Sequence, residues 1–175
     1  LAPLFHVLGI GLLPDTLLMF LSVAIMGLTW NLMDTATAHK PGPWLALGLL
    51  LGLAGLSKYT AIFTAVAVAW CLWGAHGWRV LRFRWLWLAV LLALVVVSPV
   101  AFWNYQNDWV SFTYQAQHGA GGGWQVQHLV RFVVVQLVVF GPLMLWAWTG
   151  FRRTAAAPQR HLLAFAVVPF AVFAA

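Results

Sequence analysis

Long apolar runs interrupted by short polar stretches organise this chain, and residues do not alternate between the two classes. Six apolar segments emerge: 16–33, 44–56, 59–73, 85–103, 129–148 and 161–175, with residues 1–13 reading as the tail of an earlier span and its loop. Both faces of each run are apolar, so the period-two signature of an outer-membrane strand is missing. Helices satisfy their backbone polar groups internally, which lipid requires. The pattern therefore predicts an all-α fold, a polytopic transmembrane helical bundle forming a single domain over residues 1–175. A spanning helix needs about 20 apolar residues. The second and third segments are short by that measure, yet fused as 44–73 they are too long for one span and would hold Lys58 at the bilayer centre. A tight helical hairpin turning at Ser57-Lys58 resolves the conflict. Residues 104–127 read as a long polar loop.

The charges test the hairpin. With it, Lys40, Arg79, Arg82, Arg84, Arg152, Arg153 and Arg160 fall on one side, seven of the nine basic residues. That is the asymmetry the positive-inside rule asks of cytoplasmic loops. Asp15, Lys58 and the 104–127 stretch then share the outer face. Without the hairpin, Lys40 would sit opposite the three arginines. Gly48 and Gly52 form a small-xxx-small pair suited to close helix packing, and Pro99, Pro142 and Pro169 mark kinks or helix starts.

Composition agrees: 63% of residues are hydrophobic and 7% charged, against about 25% charged in soluble domains. The net charge of +6 would suggest nucleic acid in a soluble protein, but the loop distribution accounts for it and no nucleic-acid partner is expected. The single cysteine, Cys71, excludes an internal disulfide and reads as a small buried hydrophobe. Chain ends at Leu1 and Ala175 both read as cut from something longer.

Acidic residues are scarce, three in all with no glutamate, and a carboxylate at the bilayer centre costs about 2.5–3.5 kcal/mol on insertion scales. Asp15, in Pro14-Asp15-Thr16, is therefore expected at a membrane edge or in a wet cavity. A helix N-cap is its plain role, and a catalytic role is compatible with that. Lys58, in Ser57-Lys58-Tyr59-Thr60, either snorkels to water or aims its ammonium at a phosphate near the headgroups. The loop interleaves rings with Asn104, Gln106, Asp108 and His118. Rings beside amides and hydroxyls suit a polyhydroxylated ligand, although an aromatic belt alone explains many of the 12 tryptophans. Gly119 and Gly121–Gly123 lack a following Gly-Lys-Ser/Thr and read as a hinge or lid, not a P-loop. His6, His39, His76, His128 and His161 are scattered, with no pair on one helix, so a zinc site is not expected. Arg79, Arg82 and Arg84 read as topology signals, with anionic lipid headgroups as a secondary role.

Three stretches together resemble bacterial membrane glycosyltransferases of family 39, a group including the protein O-mannosyltransferases and the lipid A aminoarabinose transferases. They are Pro14-Asp15-Thr16-Leu17-Leu18 opening a span, the Gly48–Thr60 stretch ending Ser-Lys-Tyr-Thr, and Trp103-Asn104 through Asp108-Trp109-Val110-Ser111-Phe112. The resemblance implies a GT-C fold in the bacterial inner membrane with its active site on the extracytoplasmic face. It implies transfer of a sugar from a polyprenyl-phosphate donor to a lipid, glycan or protein acceptor. No cofactor is dictated, and a divalent cation stays open. By the same resemblance Asp15 corresponds to a second acidic position, and the principal catalytic acid lies in an earlier outer loop. The chain is thus expected to be the middle of a longer enzyme, inactive alone. Lys58 would meet the departing phosphate, and Tyr59, Asn104, Gln106, Asp108 and His118 would contact sugar or acceptor.

Two other classes compete. A transporter module should carry ionisable groups near mid-membrane on broken helices, where this chain offers only Gln136 and a few Ser and Thr residues. An assembly subunit would make the outer polar residues dispensable.

Overall fold

The computed structural model describes residues 14–120, 127, 130, 131, 133–135 and 161–174. Within these residues the regular structure is helical. Seven helices are α1 Pro14–Leu32, α2 Thr35–Ala38, α3 Pro41–Ser57, α4 Ala61–His76, α5 Arg84–Gln106, α6 Val110–Ala120 and α7 Ala164–Ala174, with a 3₁₀ turn at Gly77–Arg82. The expected span 129–148 lies for the most part outside the described residues.

Apolar side chains at helical spacing set the packing. Leu21, Ile25, Thr29 and Leu32 make one buried face of α1, and the Thr29 hydroxyl is satisfied by the Ile25 carbonyl at 2.7 Å. Pro41 opens α3, where its missing N–H costs nothing. Trp44 is fully buried there and donates its indole N–H to the Ala38 carbonyl at 2.8 Å, pinning the short α2 to α3.

Alpha-helix α3 packs most extensively against α5, through its glycines. A Cβ on Gly48 would overlap the Ala89 backbone, and one on Gly52 would meet Val96 Cβ at 2.6 Å. Gly55 faces Val97 at 3.0 Å. Contacts that advance together along both chains mean that α3 and α5 run parallel, so α4 between them runs back. The chain reverses at Lys58–Thr60, between the two helices. On α4, Cys71 donates its thiol to the His161 carbonyl at 2.9 Å, which begins the antiparallel packing of α7.

The helices consequently have two distinct ends. One gathers the C-terminus of α1, Lys40, His76 and the arginines of the 3₁₀ turn. There His76 Nε2 lies 2.8 Å from the Leu32 carbonyl, and the Phe83 ring meets His39 and His76 edge-on, each at 5.2 Å. The other end gathers the N-terminus of α1, Lys58, Tyr59 and the α5–α6 turn.

Ala61–Arg82, 22 residues, and Arg84–Gln106, 23 residues, are long and apolar enough to cross a membrane, with Thr16–Leu32 and Pro41–Ser57 shorter apolar helices. Only Ala89 and Asn104 are buried along α5, leaving Leu91, Leu94 and Val95 outward. Apolar surface on that scale suits lipid.

Candidate functional site at the Lys58 end

Alpha-helix α3 stops at Lys58, whose extended backbone (φ −161°, ψ 142°) still donates its N–H to the Ala54 carbonyl at 3.0 Å. The carbonyls of Lys58, Tyr59 and Thr60 then accept the N–H groups of Ala61, Ile62 and Phe63. A three-residue link thus ends one helix and starts the next, and Lys58 and Tyr59 emerge half-buried at the turn.

Lys58 lines a cavity of about 460 Å³ with Thr60, Phe63 and Thr64, closed by Leu18 and Ser22 of α1 and by Phe165 and Pro169 of α7. Ser22 and Thr64 join across it, their hydroxyl oxygens 3.3 Å apart. The sequence reading missed this pair. The available signal was a hydroxyl on each of two otherwise apolar runs.

Asp15 stands in the first turn of α1, one turn before Leu18. The helix begins at Pro14, so Asp15 lies just inside it and not at the cap position expected. A carboxylate in a first turn is favoured by the helix dipole. Its side chain lies outside the described residues, as does that of His118 in α6.

Tyr59 and Asn104 come together. Asn104 is fully buried, and its Nδ2 donates to the Val100 carbonyl at 3.0 Å and towards the Tyr59 hydroxyl at 3.4 Å. Among the described residues its Oδ1 is buried without a partner. The Tyr59 ring also packs on Phe112 at 5.0 Å between centroids. A second hollow of about 360 Å³ is lined by Tyr59, Val110, Ser111 and Tyr114.

The stretch expected to be a loop from 104 to 127 contains α6 in its described part. The chain turns at Asn107–Trp109, where the Asn104 carbonyl accepts the N–H groups of Asn107 and Trp109 at 3.1 and 2.9 Å. Asp108 and Trp109 are both left-handed, at φ 51° and 56°, a conformation costing about 1–2 kcal/mol in each. The turn holds Trp109 against Phe112 at 5.6 Å. Gln106 and Asp108 are exposed at this same end and do not line the Lys58 cavity. Among the described residues no three His, Cys, Asp or Glu side chains gather as a metal set.

The ends therefore differ in chemistry: a cation, hydroxyls and ring–amide contacts at one, arginines at the other. Comparison with known proteins adds an independent line. Residues 1–103 match the model of the dolichyl-phosphate-mannose-protein mannosyltransferase family. The matched stretch includes Asp15, Lys58 and Tyr59 and stops one residue before Asn104. The lipid A galacturonosyltransferase RgtD of Rhizobium johnstonii is 31% identical over 143 residues, covering 78% of this chain and 28% of that protein. The chain thus spans less than a third of that relative's length. No solved structure matches. With more than half of its residues inside the family match, and with an all-helical apolar fold to suit, the chain belongs to the dolichyl-phosphate-mannose-protein mannosyltransferase family.

Proposed function

We propose that this chain is part of a membrane glycosyltransferase that moves a sugar from a polyprenyl-phosphate donor to an acceptor hydroxyl on the extracytoplasmic face. The single observation supporting this most is the gathering of Lys58, Tyr59, Asn104 and the Asp15-bearing start of α1 at one end, with Arg79, Arg82 and Arg84 at the other. Under the positive-inside rule the arginine end is cytoplasmic, so the Lys58 end faces outward in a multi-pass protein of the bacterial inner membrane.

In the reaction the acceptor oxygen bonds to the anomeric carbon as the bond from that carbon to the phosphate oxygen breaks. The phosphate leaves with the electron pair, and the hydroxyl proton passes to a carboxylate base. A phosphate is a good leaving group, so the base matters more than an acid. Lys58 stabilises the departing phosphate as a nearby cation. Asp15 orients the acceptor or supports the base, which the family resemblance assigns to an earlier loop. Tyr59, with Asn104 behind it, offers a ring face and a hydroxyl to the sugar; Gln106, Asp108 and His118 are assigned to sugar or acceptor by the family resemblance alone. The acceptor is a lipid, glycan or protein, and the galacturonosyl transfer to lipid A named for the relative favours a lipid.

The test uses the full-length enzyme in proteoliposomes with a lipid-linked sugar donor. Asp15→Asn and Lys58→Ala should each lower transfer by about tenfold or more while melting normally. Normal transfer by both variants would remove these assignments.

A further inference from the structure

At the end opposite Lys58 a separate cavity of about 690 Å³ is lined by Thr35, His39, His76, Arg79, Arg82 and Arg84. Its size lies in the range of about 300–1,000 Å³ typical of small-molecule sites. Among the described residues no carboxylate lines it. The nearest in sequence, Asp34, turns its Oδ2 to the backbone N–H and the hydroxyl of Thr37, at 3.0 and 3.1 Å.

The local fold concentrates the charge. Gly77 takes φ 56° and ψ −145°, a backbone shape open to glycine, and starts the 3₁₀ turn directly after α4. In a 3₁₀ helix residues three apart eclipse, so Arg79 and Arg82 share one edge. Val80, between them, is buried and anchors the turn. Arg84 follows as the first residue of α5, with its guanidinium 4.5 Å from the Trp85 ring centroid. Phe83 stands between His39 and His76 and holds both rings at the cavity wall.

A rule about topology asks only for positive charge on this side. It does not ask that three arginines and two histidines line one hollow, nor that Lys40, equally basic and at the same end, be left outside its lining. We propose that this cavity binds a phosphate group, that of an anionic lipid headgroup in the leaflet opposite the transfer site. Arginine forks match phosphate oxygens in pairs, Thr35 adds a hydroxyl, and the apolar surface of α5 just beyond Arg84 gives the acyl chains a wall. The inference requires the helices to lie in a bilayer but is independent of which sugar is transferred.

The full-length enzyme, reconstituted in equal parts phosphatidylglycerol and phosphatidylcholine, is extracted and its retained lipid measured by mass spectrometry. In parallel, lipid-free detergent samples are melted with and without inorganic phosphate. Wild type should retain phosphatidylglycerol selectively, and Arg79→Gln and Arg84→Gln should each lower that selectivity about fivefold. Lys40→Gln should change it much less, because its charge lies outside the cavity. A phosphate-dependent rise in melting temperature, lost in both arginine variants and without lipid selectivity, would support the phosphate site with a soluble anion as its source. Selectivity falling equally for Lys40→Gln and the arginine variants would overturn the site in favour of diffuse surface charge. Absence of both lipid selectivity and phosphate stabilisation in wild type would overturn it whether or not any variant folds.

Discussion

Asn104, one of only two buried residues on α5, reaches across to the Tyr59 hydroxyl at 3.4 Å and leaves its own Oδ1 buried without a described partner. An orphaned buried acceptor costs about 1–3 kcal/mol, roughly what its Nδ2 hydrogen bonds return. Asn104→Leu should therefore leave the stability of the full-length enzyme within about 1 kcal/mol of wild type. If the amide positions Tyr59 for the sugar, Asn104→Leu and Tyr59→Phe should each reduce transfer, and the double variant should be little worse than either. Contacting residues commonly show coupling of about 0.5–3 kcal/mol. Transfer assays and thermal melting on the four proteins measure it, and strictly additive losses would dissolve the pair.

Gly48 and Gly27 make an opposite-signed comparison. A Cβ at Gly48 meets the Ala89 backbone, which cannot rotate away, whereas nothing lies within 4 Å of one at Gly27. Gly48→Ala should destabilise by about 1–3 kcal/mol through overpacking. Gly27→Ala should be neutral or stabilising by up to about 1 kcal/mol, since it only stiffens the helix. Thermal melting of both in one detergent decides the matter, and an equal loss at both positions would mean that α3 does not pack on α5 through its glycines.

Much of the fold was legible because a few residues are costly in the wrong place. A fused 44–73 run was too long for one span and would have held Lys58 mid-bilayer, and with the one-sided arginines that placed the break between α3 and α4. Gly48 and Gly52 signalled a close approach, though not its partner, because nothing in a uniformly apolar α5 distinguishes Ala89 from its neighbours. The 104–127 stretch was read as loop on its amides and rings. Part of it folds as α6, since the turn at Asp108 and Trp109 lets Phe112 pack on Tyr59, a tertiary contact that local composition does not encode. Ser22 and Thr64 were passed over because single hydroxyls in apolar helices more often bond their own backbone, as Thr29 does.

Asp34 gives a pH signature at the arginine end. The Thr37 backbone N–H, and after it the Thr37 hydroxyl, hold its carboxylate below the ordinary range, and the group is fully exposed. A lowered folded pKa means that capping of α2 is fully present above the unfolded value and is lost as pH falls through the folded one. Hydrogen exchange at Thr37 should lose protection over that acidic window in wild type. In Asp34→Asn, which caps without titrating, protection should not vary there. A pH response retained in the Asn variant would assign the effect to another group.

The opposition of the two ends can be read directly by labelling. In a full-length protein freed of its other cysteines, Cys71 is fully buried and serves as a silent background. Gln106→Cys and Lys40→Cys introduce exposed thiols at opposite ends of the parallel pair α3 and α5. An impermeant maleimide added to intact cells should label position 106 and reach position 40 only after the membrane is opened. Because Lys40 caps the start of α3 and α5 ends at Gln106, both helices must cross in the same direction for that result, and α4 must return between them. Labelling of both positions from outside would leave Arg79, Arg82 and Arg84 without a cytoplasmic face, and the outward placement of Lys58 would go with it.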